Sequence, residues 1–311
     1  MGGFPRLRLM EAEPRGGCPG PPGYWELRVP VTDDSAEGLT NFLWELGALG
    51  VIEEAGAEGS PELRAFFPGV AAPDTLQASV RDYLLGLDAL GFASAGEPVL
   101  ARLADDNWAS AWRDHFRPLP VGTSLLIAPS WDVPAATGAV TTIIVDPGRA
   151  FGTGHHGTTR GCLEALEALV ASAMPATALD LGTGSGILAI ALARLGVPRV
   201  LAVDDDPDAV AAAVQNIAHN GVGTRVECRA GDAASLDTAA APLVVANLLT
   251  VAHRRLGARY AEYVAAGGRL VLGGILDPEA DAVVEAVGPH GFVTRDRRSI
   301  EGWTTLVLER M

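Results

Sequence analysis

The chain has 311 residues, 48% of them apolar, enough for about two domains with cores of their own. A net charge of −15 weighs against a nucleic-acid-binding surface, and no apolar run approaches the ~20 residues of a membrane span; the longest, 186–197, is cut by Arg194. All 23 basic residues are arginine, which excludes a catalytic lysine, a Schiff base and a P-loop, and three scattered cysteines (Cys18, Cys162, Cys228) form neither a disulfide framework nor a metal cluster, as expected in a reduced cytoplasm.

Residues 1–23 are rich in Gly, Pro and Arg, lack the apolar core of a signal peptide, and are expected to form a flexible extension. Residues 24–31 alternate like a strand. Asp34 and Glu37 suit an acidic helix start, with Leu39, Phe42, Leu43 and Leu46 at helical spacing behind them. Gly47 and Gly50 end that helix, and 51–54 and 62–67 read as short strands. Pro73 and Asp74 open a second helix with Leu76, Val80, Leu84 and Leu87 on one face, and 98–103 is a last strand. This β-α-β-β-α-β order predicts a small ferredoxin-like α+β domain over 24–103. Between residues 24 and 100 stand 13 acids against three arginines, two-thirds of the net charge. Such a surface suits a basic partner, though it equally serves solubility.

A connector follows over 104–140, where Trp108, Trp112 and Phe116 recur at one-turn intervals, a packing stripe. From 141 to 311 the pattern becomes α/β. Strands are expected at 141–145, 178–181, 200–203, 224–228, 243–246, 269–272, 292–296 and 304–308, in a doubly wound, mostly parallel sheet. The short link between the last two predicts an antiparallel hairpin at the sheet edge.

Chemistry concentrates in the second half. Asp180-Leu181-Gly182-Thr183-Gly184-Ser185-Gly186 joins a strand to the apolar helix after Ile187, and its glycines let a ligand approach the backbone at a helix N-terminus. The spacing is G-x-G-x-G rather than the dinucleotide G-x-G-x-x-G, and Asp180 stands just ahead of it. That form is the one found in S-adenosylmethionine enzymes, and it makes Asp180, Gly182 and Gly184 candidate cofactor contacts. Asp204, ending the next strand, suits the ribose hydroxyls, while Asp206 suits the cap of a helix opening at Pro207. Asp232 is either a contact to the adenine amine or an ordinary turn residue. Asn247 ends a strand where a methyl acceptor must lie. Upstream, 146–159 is a glycine-rich loop containing Phe151, Gly152, Thr153, Gly154 and His156, suited to an amino-acid carboxylate, with Thr158 or Thr159 as N-cap of the following helix. Adjacent His155 and His156 chelate poorly, and no metal is expected.

The stretch 146–159 resembles the signature D-P-G-x-A-F-G-T-G-T-H-P-T-T of the ribosomal protein L-eleven methyltransferases. Asn107-Trp108, Trp112 and Pro129-Ser130-Trp131 are similar to that family's connector, and Gly182 to Ile190, Asp204, Asn216, Asn220-Gly221, Asn247-Leu248-Leu249 and Gly274-Ile275-Leu276 to its catalytic domain. The resemblance implies a class I, Rossmann-like methyltransferase domain, S-adenosyl-L-methionine contacts at Thr159, Gly182, Asp204 and Asn247, and methylation of lysine side chains and an N-terminal α-amine on a basic ribosomal protein of the large subunit by a cytoplasmic monomer. Two departures stand out: His155 replaces Thr, and Gly157 replaces Pro, so proline at 157 is expected to stabilise the loop if the backbone there suits it.

An RNA or DNA base methyltransferase acting on exocyclic amines would follow Asn247 with prolines and a stacking ring. Leu248-Leu249-Thr250 supplies none, and no direct nucleic-acid binding is expected. A cofactor-binding module without catalysis is disfavoured because Asn247 and the full loop are both present.

Overall fold

The structure is a computed structural model and describes residues 24–48, 50–55, 61–68, 71–89, 96–103, 117–135, 140–146 and 156–311. The described residues divide into two compact units, those up to residue 109 and those from residue 110 on. The aromatic stripe at Trp108, Trp112 and Phe116 and the loop residues Phe151, Gly152, Thr153 and Gly154 lie outside the described residues.

The first unit holds β1 (Tyr24–Pro30), α1 (Asp33–Glu45), β2 (Gly50–Ala55), β3 (Pro61–Pro68), α2 (Pro73–Ala89) and β4 (Val99–Leu103). Its four strands are antiparallel in the order β2-β3-β1-β4, the ferredoxin-like arrangement. Strand alternation puts Leu27, Val29, Leu63, Ala65 and Phe67 on one face, where they meet Leu39 and Leu43 of α1 and Leu76, Val80 and Leu84 of α2. The first helix is opened by Thr32 and Ser35: the Thr32 amide donates to Ser35 Oγ at 3.0 Å and the Ser35 amide to the Thr32 carbonyl at 3.0 Å.

The second unit opens with β5 (Leu119–Val121), β6 (Leu125–Ala128) and β7 (Thr141–Ile144), a three-stranded sheet. Then come α3 (Gly157–Ser172), β8 (Ala178–Leu181), α4 (Ile187–Arg194), β9 (Val200–Asp204), α5 (Pro207–His219), β10 (Val226–Ala230), β11 (Ala241–Asn247), α6 (Thr250–Tyr263), β12 (Val264–Leu276), α7 (Ala280–Val287), β13 (Phe292–Ile300) and β14 (Trp303–Arg310). The seven-stranded sheet runs β10-β9-β8-β11-β12-β14-β13, parallel through β12 and closed by the antiparallel β13–β14 hairpin. Glu301 and Gly302, both at positive φ, make its two-residue turn. Alternate residues of β11 feed opposite cores: Leu243 and Val245 join Leu163, Leu166 and Ile190, whereas Val244 and Ala246 join Leu256, Tyr260 and Val283. The sheet is therefore covered by helices on both faces.

Three expectations need correction. Strand 141–145 belongs to the small sheet, not the large one: it pairs parallel with β6, and the Asn220 side chain occupies the backbone of Ile144, accepting from its N–H at 2.8 Å and donating to its carbonyl at 2.6 Å. Part of the sequence-defined connector forms β5 and β6, and its Val121, Leu125 and Ile127 are buried in the core shared by α3 and α4. The strand expected at 224–228 starts two residues later, because Arg225 and Val226 both turn back to the Val222 carbonyl.

Candidate functional site

Chain order along the large sheet reverses between β8 and β11, and the strand ends that flank this switch point carry the glycine turn and Asn247. A crevice forms at such a point because the connections leave in opposite directions. Gly182, Gly184 and Gly186 all adopt positive φ (70°, 54° and 82°), a region that L side chains rarely enter. A Cβ on Gly182 would lie 2.3 Å from Leu248 Cδ2, so the absence of a side chain there lets the turn pack against the β11–α6 corner.

Asp180 braces this turn from behind. It is fully buried, with Oδ2 accepting from the Thr183 hydroxyl at 2.6 Å and the Ala189 amide at 3.1 Å. Burial, with the Asp204 charge adding to it, pushes its pKa up to about 7. Its bonds to the turn and to α4 make Asp180 a support of the loop. The Gly184 amide donates to Asp204 Oδ2 at 2.8 Å, and the Asp206 amide donates to Oδ1 at 3.1 Å. These bonds aim Asp204 at the open space, while burial raises its pKa. Asp206 caps α5 by accepting from the Asp208 amide, with Pro207 in the first turn.

The cavity, about 360 Å³, is lined by Gly182, Asp204, Asp232, Leu248, Leu249 and Arg255 among others, within the ~300–1,000 Å³ usual for small-molecule sites. Asp232 lines the cavity, and its Oδ1 closes a turn by accepting from the Ala234 amide at 2.7 Å. Sequence reasoning missed the part of the far wall that Val251 and Arg255 add beyond Leu249 at the start of α6. Val251 is 76% exposed, and the one available signal was an apolar residue on a helix turn that has nothing to pack against.

Beside the cavity, Asn247 is held by the start of α3. Neither Thr158 nor Thr159 is the N-cap: α3 begins at Gly157, and the capping position is His156, whose side chain makes no capping bond. The two threonines are buried in the first turn instead, facing β11. Thr158 Oγ1 lies 2.6 Å from Asn247 Oδ1, and Thr159 Oγ1 lies 3.5 Å from Asn247 Nδ2. His156 packs edge-on against Trp303, ring centroids 4.7 Å apart, and burial lowers its pKa. The family-like asparagines act on the backbone of the same region: Asn216 donates to the Ser185 carbonyl in the glycine turn at 2.8 Å, and Asn220 clamps Ile144. No group of three or more metal-ligating side chains occurs among the described residues.

Gly157 overturns the proline expectation. A Cβ there would sit 2.6 Å from the Ile300 carbonyl oxygen, a backbone atom that cannot swing aside. Gly157→Pro is expected to destabilise the protein by about 1–3 kcal/mol, as overpacking does, rather than stabilise it. A thermal midpoint at or above wild type in the variant would show that the hairpin yields.

A parallel sheet with a glycine turn, an acid on the neighbouring strand and a cavity at the switch point defines a class I S-adenosylmethionine-dependent methyltransferase. The match goes further. Residues 23–311 fit the family model "Ribosomal protein L11 methyltransferase (PrmA)". The "Ribosomal protein L11 methyltransferase" of Geobacter sulfurreducens is 39% identical over 282 residues, covering 86% of this chain and 92% of that protein. That of Trichlorobacter lovleyi is 36% identical, covering 86% and 90%. The crystal structure of the ribosomal protein L11 methylase from Lactobacillus delbrueckii subsp. bulgaricus superposes with a TM-score of 0.58 at 28% identity, covering 63% of this chain and 99% of that one. The chain belongs to the ribosomal protein L11 methyltransferase family, and its methyl donor is S-adenosylmethionine.

Proposed function

We propose that the chain methylates amines of ribosomal protein L11, its lysine side chains and N-terminal α-amine, with Gly182, Asp204, Asp232, Thr159 and Asn247 around the cofactor. The observation that carries this reading is Asn247 at the end of β11, across the switch point from Gly182, followed by Leu248 and Leu249 with no ring on which a base could stack. When bound, S-adenosylmethionine supplies a methyl group already activated on a sulfonium. What remains for the protein is alignment and a neutral nucleophile. A lysine amine, with a solution pKa of ~10.4, arrives protonated, and desolvation against Leu248 and Leu249 beside a cation favours loss of that proton. Asn247 then accepts an N–H from the amine and leaves the nitrogen lone pair facing the methyl.

Asp204 is the strongest single test of the cofactor assignment. Asp204→Ala is expected to weaken S-adenosylmethionine binding by about 1.5–3 kcal/mol through lost charge-assisted hydrogen bonds; calorimetry giving wild-type affinity for the folded variant would refute it. The acidity of residues 24–100 supports docking of the basic protein on the first unit, with transfer on the second. Its mark is an apparent KM for L11 that rises with salt while turnover of a saturating lysine peptide stays level, because exposed charges are screened over about 8 Å at physiological ionic strength. Mass spectrometry of L11 incubated with the enzyme and cofactor decides the substrate: methyl increments on its amines are expected, and an unchanged mass would overturn the assignment.

A further inference from the structure

We infer that Thr158 is a positioning residue that sets which way the Asn247 amide faces. The inference rests on the reading of Asn247 as the group that aims the acceptor amine. Three atoms make the argument. The Gly274 backbone amide points at Thr158 Oγ1, and a backbone N–H can only donate, so the hydroxyl oxygen accepts there. The hydroxyl's single proton then goes to its other partner, Asn247 Oδ1, at 2.6 Å. The amide is thereby oriented with its oxygen toward Thr158 and its Nδ2 toward Thr159 Oγ1, 3.5 Å away. Oδ1 keeps its second lone pair for an N–H of the acceptor. A flipped amide would present an N–H donor to a nitrogen whose lone pair must stay available for the methyl.

The surroundings leave this relay little freedom. Thr158 is 1% exposed, and Gly274, at φ 75°, packs its Cα against the Leu248 backbone, where a Cβ would fall 2.3 Å from the Leu248 carbonyl oxygen. Gly273 beside it leaves no spare volume: a Cβ there would lie 2.8 Å from Asn247 Oδ1 and 3.0 Å from Thr158 Oγ1. The Gly273 carbonyl is held from the other side by His253 Nε2 at 2.7 Å, whose Nδ1 lies 2.7 Å from the Tyr260 hydroxyl. A carbonyl can only accept, so neutral His253 carries its proton on Nε2 and accepts a hydrogen bond from the Tyr260 hydroxyl at Nδ1. The donor to Thr158 therefore sits on a strand anchored at the adjacent residue.

The test compares Thr158→Ser, Thr158→Val and Asn247→Ala in the full chain, by kcat at saturating L11 and cofactor and by calorimetric cofactor affinity. Thr158→Ser keeps the hydroxyl and should stay within about threefold of wild-type kcat. Thr158→Val keeps the shape, loses the proton, and should lower kcat by roughly 10- to 100-fold, the scale of a misplaced reacting group, with cofactor affinity changed far less. Combined with Asn247→Ala, the valine change should add nothing, since the two act on one amide. Should the valine variant not fold, Thr158→Ala replaces it; a water entering there donates and accepts equally, so the amide loses its orientation and kcat falls as well. Equal losses for serine and valine would make Thr158 a packing residue and overturn the inference, as would full additivity with Asn247→Ala. Wild-type kcat for Thr158→Val beside a crippled Asn247→Ala would sink the relay alone, whereas wild-type kcat for Asn247→Ala would remove the reading beneath it.

Discussion

Gly273→Ala is expected to lower kcat by about 100-fold and stability by about 1–3 kcal/mol. The new Cβ would lie 2.4 Å from Cys162 Sγ, 2.8 Å from Asn247 Oδ1 and 3.0 Å from Thr158 Oγ1, all below ordinary contact distance. The backbone is held, because the Gly273 carbonyl is bonded to His253 and to the Leu248 amide, and residues 269–273 pair one for one with residues 243–247 of β11. The side chains must therefore give, and Asn247 is one of them. Adding Cys162→Ala removes the shortest contact while leaving the one to Asn247. The double variant should recover more of its thermal midpoint than of its turnover. Equal recovery of both would mean that Cys162 alone senses the methyl group and that Asn247 stays in place. The Cys162 thiol itself, fully buried and pushed up to about 12 by that burial, stays protonated and inert.

The second large effect is a pair of opposed pH dependences. Asp180 is raised by burial from 3.8 to about 7, so between those values the folded chain holds a proton that the unfolded chain has released. Stability from this group is greatest at low pH and is lost as pH rises toward 7, on the order of 4 kcal/mol in all. His253 runs the other way. Burial lowers it from 6.5 to about 4, the unfolded chain holds the extra proton between them, and stability rises with pH by about 3 kcal/mol. The two contributions oppose each other between about pH 4 and 6.5. Denaturant midpoints across that range should separate them: the His253→Gln profile keeps the falling limb, and the Asp180→Asn profile keeps the rising one. Variant profiles parallel to wild type would show that neither group titrates where the structure places it.

Much of the methyltransferase sheet could be read from residue order, because each parallel strand is a short apolar run bounded by a turn and a helix. The glycine turn was legible for a stronger reason: three glycines in five positions mark backbone that must enter positive φ, a local property. Asp204, Asp206 and Pro207 declared themselves in the same way, one residue at a strand end and two at a helix start. Asp180 did not. Whether a carboxylate ahead of a glycine turn faces the ligand or the interior depends on what buries it, and here α4 closes over it through the Ala189 amide. The roles of Thr158 and Thr159 were hidden for a related reason, since a threonine near a helix start is the usual sign of a cap.

What the sequence determined by itself, then, is everything carried by short-range pattern: a ferredoxin-like unit followed by an α/β one, the class of sheet, the glycine turn, an acid ending the next strand, an asparagine ending β11 and the family they resemble. Tertiary structure alone decided which polar side chains meet across long separations. Asn247 stands 89 residues from Thr158, and Asn220 stands 76 from Ile144. Gly274, whose amide completes the relay, is 116 residues beyond Thr158. No periodicity records such pairs. They exist because strand order brings β11 and β12 side by side, and because the side chains facing them across the start of α3 are bonded there rather than left buried without partners.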